Sequence, residues 1–80
     1  MTQQISKYDI VRILVPNPSV PDAEVGDQGA VVMVYFESAV PVAYEIECVL
    51  PDGNNKWLGT FSPNQIILQQ KAQVGNTEQV

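Results

Sequence analysis

Short apolar runs, each ended by residues that break regular structure, set the strongest limit on how this chain can fold. The five runs are rich in β-branched and aromatic side chains and cover residues 8–15, 30–36, 42–50, 56–61 and 66–68. None repeats apolar residues with the period of an amphipathic helix, and the third alternates with the period of a strand. The pattern therefore predicts an all-β domain of five short strands.

The residues between the runs carry specific turn signals. Two prolines at 16 and 18 end the first run, because proline lacks the N–H that a strand or helix needs. The sequence Pro-Asp-Gly-Asn at 51–54 predicts a tight hairpin, and residues 37–41 are interpreted as a loop. Ser62 and Pro63 suit the cap and first position of a single 3₁₀ turn before the last strand. Gly59 predicts a bulge or bend in the fourth strand.

Alternation assigns side chains to the two faces of the strands. The residues expected on the buried face are Val11, Ile13 and Val15 in the first strand and Tyr44, Ile46, Cys48 and Leu50 in the third. Residues 30–36 hardly alternate, which favours a strand that is buried on both faces or carries a bulge. Cys48 is expected to be an inert, buried thiol, because reactive thiolates need electropositive neighbours and this one follows Glu45 and Glu47.

Missing residue types argue against several classes of function. The 80-residue chain has no histidine and one cysteine, which removes the commonest general base, an intrachain disulfide and a zinc site of histidine and cysteine. Nine acidic against four basic residues give a formal net charge of −5, and such a surface is repelled by phosphate backbones and anionic lipids. We therefore expect a protein that is not an enzyme, holds no cofactor or metal, and binds neither nucleic acid nor membranes.

The length of the chain fits one domain. We expect residues 1–5 to form a flexible N-terminus, residues 6–68 the folded domain, and residues 69–80 a frayed polar C-terminal tail. The first residues do not resemble a secretory signal, and no apolar run is long enough to cross a bilayer. A cytoplasmic location is the corresponding expectation.

The order of the predicted elements resembles that of an SH3-like barrel. A long first loop, a tight hairpin between the third and fourth strands, and one 3₁₀ turn before the fifth strand are typical of that fold. Two small sheets pack orthogonally there and hide most strand edges. The fold expected is thus an all-β, five-stranded SH3-like barrel.

Four segments carry a more specific resemblance: YDIVRI at 8–13, GDQGAVVMVY at 26–35, AYEIEC at 43–48, and DG at 52–53. They are similar to a family of small bacterial proteins that form a domain of unknown function, with the pattern D-V-V, G-D-x-G-T-V-V-E-V-Y, Y-E-V-E-F and D-G. The similarity covers roughly residues 6–68, with Ala30, Met33 and Cys48 departing from the pattern. It implies an SH3-like barrel without assigned catalytic residues, and a role as one half of a pair such as a toxin and its antitoxin.

A second resemblance is to the KOW-type modules of ribosomal and transcription proteins. Asp9-x-Val11-x-Ile13 and Gly26-x-x-Gly29-x-Val31 match their pattern, although Tyr8 replaces its first glycine and the basic residues that contact RNA are missing. This resemblance implies an RNA- or ribosome-contacting module as an alternative function.

Acidic residues provide the candidate binding sites. Asp22, Glu24 and Asp27 lie in the long loop at a spacing that matches no calcium loop. The turn at 26–29 lacks the lysine and the following helix of a phosphate loop, which favours a simple tight turn. Glu45 and Glu47 are predicted on the polar face of the third strand, where they form either a solvated face or an acid patch for a partner.

Trp57 is the aromatic residue with the clearest alternatives. It follows the predicted hairpin next to Lys56. It either fills one end of the barrel, as bulky aromatics often do, or stands exposed as an anchor for a partner.

These observations together predict a non-catalytic, acidic protein-binding module. Its expected partner is a protein with a basic surface, such as a host enzyme or a cognate toxin, and the module would then be the neutralising antitoxin or immunity partner of a basic toxic enzyme. The alternatives are the KOW-like RNA-contacting module and a structural subunit of a larger enzyme complex.

Overall fold

The structure, a computed structural model, describes residues 4–72. Its elements in chain order are β1 (Ile10–Ile13), β2 (Gln28–Glu37), β3 (Val40–Val49), β4 (Asn55–Phe61), a 3₁₀ turn (Pro63–Gln65) and β5 (Ile66–Gln70). The five strands form one sheet in the order β4-β3-β2-β1-β5, and every neighbouring pair is antiparallel. The predictions of five β-strands and of one 3₁₀ turn are confirmed. Within residues 4–72, no helix is long and apolar enough to cross a membrane.

One face of this sheet carries the core. Its buried apolar side chains are Ile5, Val11, Ile13, Val20, Val31, Tyr44, Ile46, Cys48, Trp57, Phe61 and Ile66. The register explains the clustering, because Val31 pairs with Ile46 across β2 and β3, and Cys48 pairs with Trp57 across β3 and β4. β4 and β5 lie at the two ends of the strand order and do not pair with each other, so the described strands form an open sheet.

Alternation predicted most inward positions and failed at the ends of the strands. Val11, Ile13, Tyr44, Ile46 and Cys48 are buried as expected. Val15 and Leu50, which were expected on the buried face, are instead 41% and 40% exposed. The physical reason is that β1 ends at Ile13 and β3 at Val49, so the strand period no longer applies to these two residues.

The loop expected at residues 37–41 is instead a continuous hairpin. Glu37 pairs with Val40, and only Ser38 and Ala39 turn the chain, both with positive φ, at 51° and 68°. Two successive residues of this kind form the hairpin turn whose twist matches that of the flanking strands. β2 and β3 therefore extend further than the apolar pattern indicated.

β2 is buried along only part of its length. Of the two interpretations of residues 30–36, burial on both faces is wrong, because Met33, Tyr35 and Phe36 are exposed. A bulge is present, since the register shifts between Val31 and Met33. The extra residue at this bulge, Val32, accounts for the weak alternation of residues 30–36.

Gly59 lets a loop residue approach β4 closely and does not form a bulge. It pairs regularly with Ile46, and the irregularity in the β3–β4 ladder lies at Cys48 and Val49. A Cβ atom on Gly59 would overlap both Cγ atoms of Val20, a residue of the long loop between β1 and β2 (residues 14–27). Asn17 attaches the same loop to β4, because its Nδ2 donates to the carbonyl oxygen of Thr60 at 3.0 Å.

The boundaries of the folded region differ from those expected at both ends. Ile5, assigned to the flexible N-terminus, is buried in the core. β5 continues to Gln70, past the expected limit at Leu68. The remaining parts of the two predicted tails, residues 1–3 and 73–80, lie outside the described residues.

Candidate functional site

The candidate site is the face of the sheet that points away from the core. Residues that pair across antiparallel strands share a face, so the register places Ala30 beside Glu47 and Leu58, and Met33 beside Glu45 and Thr60. We call this surface the outer face and define it by Ala30, Met33, Tyr35, Glu45, Glu47, Leu58 and Thr60.

Glu45 is held in place by two neutral hydroxyl groups. The Tyr35 hydroxyl and the Thr60 Oγ1 both donate to Glu45 Oε1, each at 3.0 Å. The hydrogen bond to Glu45 raises the pKa of Tyr35 above its ordinary value, with smaller contributions from burial and from the negative charge. Tyr35 therefore remains a donor at neutral pH and orients the carboxylate of Glu45.

Glu47 is the second carboxylate of the outer face. It lies on the same strand, two residues further on, and is half-buried. Among residues 4–72, the ion pairs involve only Lys56 and Lys71 as cations, and neither reaches Glu45 or Glu47. The outer face thus carries two negative charges that no basic side chain of the described region neutralises.

Apolar side chains surround these charges. Leu58 is 55% exposed, Met33 45% and Tyr35 43%. An exposed apolar surface next to uncompensated charge is typical of binding surfaces, where apolar contact provides affinity and charge provides orientation.

The acidic residues of the long loop have a different role. Asp27 accepts hydrogen bonds from the backbone N–H of Glu24 at 2.9 Å and from Trp57 Nε1 at 2.8 Å, and it pairs with Lys56 Nζ at 3.1 Å. Burial alone would raise the pKa of Asp27, but these three hydrogen bonds and the Lys56 charge outweigh it and lower the pKa. Glu24 also pairs with Lys56 at 3.1 Å, whereas Asp22 is exposed and takes no part in these contacts.

Trp57 is part of the core. It is 6% exposed, and its ring centroid lies 5.3 Å from that of Phe61. Of the two alternatives for this residue, the packed aromatic is confirmed and the exposed anchor is wrong. The indole needs a partner for its N–H when buried, and Asp27 supplies it.

The six predicted site residues therefore divide by role. Asp27, Glu24 and Trp57 make internal contacts that attach the long loop to β4. Glu45 and Glu47 lie on the outer face, as the alternation of β3 indicated, and Asp22 is exposed in the long loop.

Asp9 is a buried charged residue that the sequence analysis did not single out. It is completely buried and accepts from the backbone N–H groups of Ser6 and Ala72 and from Lys71 Nζ, at 2.8, 2.7 and 2.7 Å. An acidic residue inside the apolar run 8–15 was the available signal. Its partner Lys71 is 62 positions away, a separation that no local pattern reveals.

An apolar groove is the second feature that sequence reasoning missed. It has a volume of about 560 Å³ and lies between the N-terminal segment, β3 and the 3₁₀ turn, lined by Gln4, Ile5, Val40, Pro41, Tyr44, Pro63 and Ile66. The groove depends on the unexpected length of the β2–β3 hairpin, which contributes Val40 and Pro41.

Cys48 is buried as expected, and burial raises the pKa of its thiol, which keeps it protonated.

Comparisons of the chain with models of known protein families, with curated proteins and with solved structures give no match. The described residues contain no group of three or more acidic, histidine or cysteine side chains arranged to hold a metal ion.

Proposed function

We propose that this chain is a non-catalytic protein-binding domain whose outer face docks on a basic protein surface. The observation that supports the proposal is the pair Glu45 and Glu47, which face outward without a cationic partner among residues 4–72. Glu45 is already oriented by Tyr35 and Thr60, so its side chain loses little conformational freedom when a cation binds it.

The chemistry of this face favours arginine or lysine side chains on the partner. Their charged ends would meet Glu45 and Glu47, while their aliphatic stems would cover Met33 and Leu58. Negative charge would also accelerate association with a basic protein through electrostatic steering. A toxic enzyme with a basic nucleic-acid-binding surface has this chemistry, and the domain would then act as its antitoxin or immunity partner in the bacterial cytoplasm.

We also propose that the scaffold is an SH3-like barrel of the small bacterial family that the sequence resembles. The strand order β4-β3-β2-β1-β5 and the 3₁₀ turn directly before β5 support this assignment. In such a barrel the outer face would be formed by the three strands β2, β3 and β4.

The test is affinity capture from a host lysate with the wild-type chain and two charge-matched double variants. E45Q/E47Q removes both charges of the outer face, and the amide oxygen introduced at position 45 can still accept the two hydroxyl hydrogen bonds. D22N/D52N removes the same charge from exposed positions elsewhere. We expect the wild type and D22N/D52N to retain the same basic protein, and E45Q/E47Q to lose it.

Two further conditions decide between the alternatives. Nuclease treatment should leave the captured protein unchanged, and raising the salt concentration should slow its association. Capture that disappears with nuclease would instead support the KOW-like function. Equal capture by E45Q/E47Q and the wild type would contradict the outer face as the binding surface.

A further inference from the structure

The far half of β2 has an unpaired edge. β1 pairs with β2 only from Gln28 to Ala30. Two more backbone hydrogen bonds follow at Val31, whose carbonyl accepts from Tyr8 at 2.6 Å and whose N–H donates to Asp9 at 2.9 Å. Beyond that point, no described residue forms a backbone hydrogen bond to β2 on this side. With respect to the described part of the chain, residues 32–37 therefore form a free edge, with alternate N–H and C=O groups directed away from β3.

From Met33 onward, this free edge lacks the features that usually protect strand edges. Natural edges carry lysine or proline, or a bulge that interrupts pairing. The sequence Val-Met-Val-Tyr-Phe at 32–36 has no charge and no proline. The extra residue of the first register shift, Val32, is a bulge at the start of this edge, whereas that of the second shift, Val42, lies on β3, so β2 is regular from Met33 to Glu37. On β3, the other strand of the same hairpin, Pro41 has no backbone N–H, so that edge has one hydrogen-bond donor fewer.

Side chains along the free edge would gain contact on both faces of an added strand. Phe36 is 62% exposed, and Met33 and Tyr35 are also exposed. Exposed aromatic and long apolar side chains on neighbouring strands form the cross-strand pairs that stabilise a sheet.

Charge selects a second copy of this chain in antiparallel orientation as the partner. Glu37 lies at one end of the free edge, and Lys7 directly precedes Tyr8, which bonds to Val31 just beyond the other end. Residues 4–7 and the side chains of Met33, Val34 and Phe36 line a cavity of about 260 Å³ beside this edge. Neither Lys7 nor Glu37 forms an ion pair within the described part of the chain. A two-fold axis through the middle of the edge would bring Glu37 of each copy towards Lys7 of the other, whereas parallel pairing would place the two Glu37 side chains together.

We propose that this chain forms a symmetric dimer by antiparallel pairing of β2 with β2 of a second copy along residues 32–37. The two sheets then become one continuous sheet, with their outer faces side by side. The proposal depends on the backbone edge and on Phe36, Lys7 and Glu37, and not on Glu45 or Glu47, so it can fail while the proposed function holds.

Sedimentation equilibrium of the full chain over a wide concentration range tests this dimer. We expect a concentration-dependent dimer for the wild type, and a dissociation constant raised at least about 10-fold by Phe36→Lys, because a lysine at the edge opposes strand addition. Leu58→Lys is the matched control, since Leu58 is similarly exposed at 55% but lies on β4. Its dissociation constant should equal that of the wild type.

Charge reversal tests the orientation without altering the apolar surface. Lys7→Glu and Glu37→Lys should each weaken the dimer, and the double variant should restore it, because the reversed pair attracts again. A wild-type chain that is monomeric throughout would overturn the proposal. A dimer weakened by Leu58→Lys and not by Phe36→Lys would also overturn it, and failure of the double reversal to restore the dimer would overturn the antiparallel arrangement.

Discussion

Asp9 bonds to both ends of the described chain, to Ser6 near its start and to Lys71 and Ala72 at its end. Asp9→Ala would leave the N–H groups of Ser6 and Ala72 without their acceptor and Lys71 without its ion-pair partner. We expect a loss of about 2–4 kcal/mol in the free energy of unfolding, measured by urea denaturation at neutral pH. The control is Asp52→Ala at an exposed turn, which should cost less than about 1 kcal/mol. Equal losses in the two variants would contradict a special role for Asp9.

The turn of the β2–β3 hairpin has backbone φ angles that its two residues, Ser38 and Ala39, do not favour. Ser38 and Ala39 adopt φ of 51° and 68°, a region that favours asparagine and glycine. Replacing the pair with asparagine followed by glycine, in the variant S38N/A39G, should raise the free energy of unfolding by about 1 kcal/mol. Ala43→Gly in the extended β3 should instead lower it, since glycine gains nothing there. A destabilised S38N/A39G variant in thermal denaturation would contradict the turn geometry.

The contact between the long loop and β4 requires a glycine. A methyl group at Gly59 would overlap the side chain of Val20, so Gly59→Ala should destabilise the domain by about 1–3 kcal/mol. Val20→Ala alone should also destabilise it by opening a cavity. The double variant V20A/G59A should lose less than the sum of the two single losses, because the smaller side chain at position 20 accommodates the added methyl group. Additive losses in a double-mutant cycle would contradict this contact.

Most strands were predictable because strand formation depends on neighbouring residues. Period-two alternation placed Glu45 and Glu47 on one face of β3 and the buried Tyr44 and Ile46 on the other, and this assignment is the basis of the candidate site. What could not be predicted depends on residues distant in the sequence. The indole of Trp57 bonds to Asp27, 30 positions away, so no local pattern distinguishes a packed tryptophan from an exposed one. The hairpin turn was missed because Ser38 and Ala39 lack the usual turn residues.

Resistance to acid is a property of the whole molecule, because the buried carboxylate of Asp9 and the half-buried carboxylate of Asp27 each hold separate parts of it together. Asp9 joins the ends of the described chain, and Asp27 joins the long loop to β4. Burial alone would raise the pKa of each, but hydrogen bonds and a neighbouring lysine lower both below the ordinary value of 3.8. A carboxyl with a lower pKa in the folded than in the unfolded state stabilises the fold above its unfolded pKa, and this contribution is lost as the pH falls through the folded pKa.

The free energy of unfolding should therefore fall steeply as the pH decreases below about 4, and urea denaturation at a series of pH values measures this slope. D9N/D27N removes the two carboxylates whose pKa the fold lowers, so its free energy of unfolding should be lower at neutral pH and should depend much less on pH in the acid range. E45Q/E47Q also removes two carboxylates but leaves Asp9 and Asp27 intact, so it should keep the steep acid slope. A wild-type slope in D9N/D27N would mean that the acid sensitivity arises from repulsion among the positive charges of the protonated chain instead of from these two carboxylates.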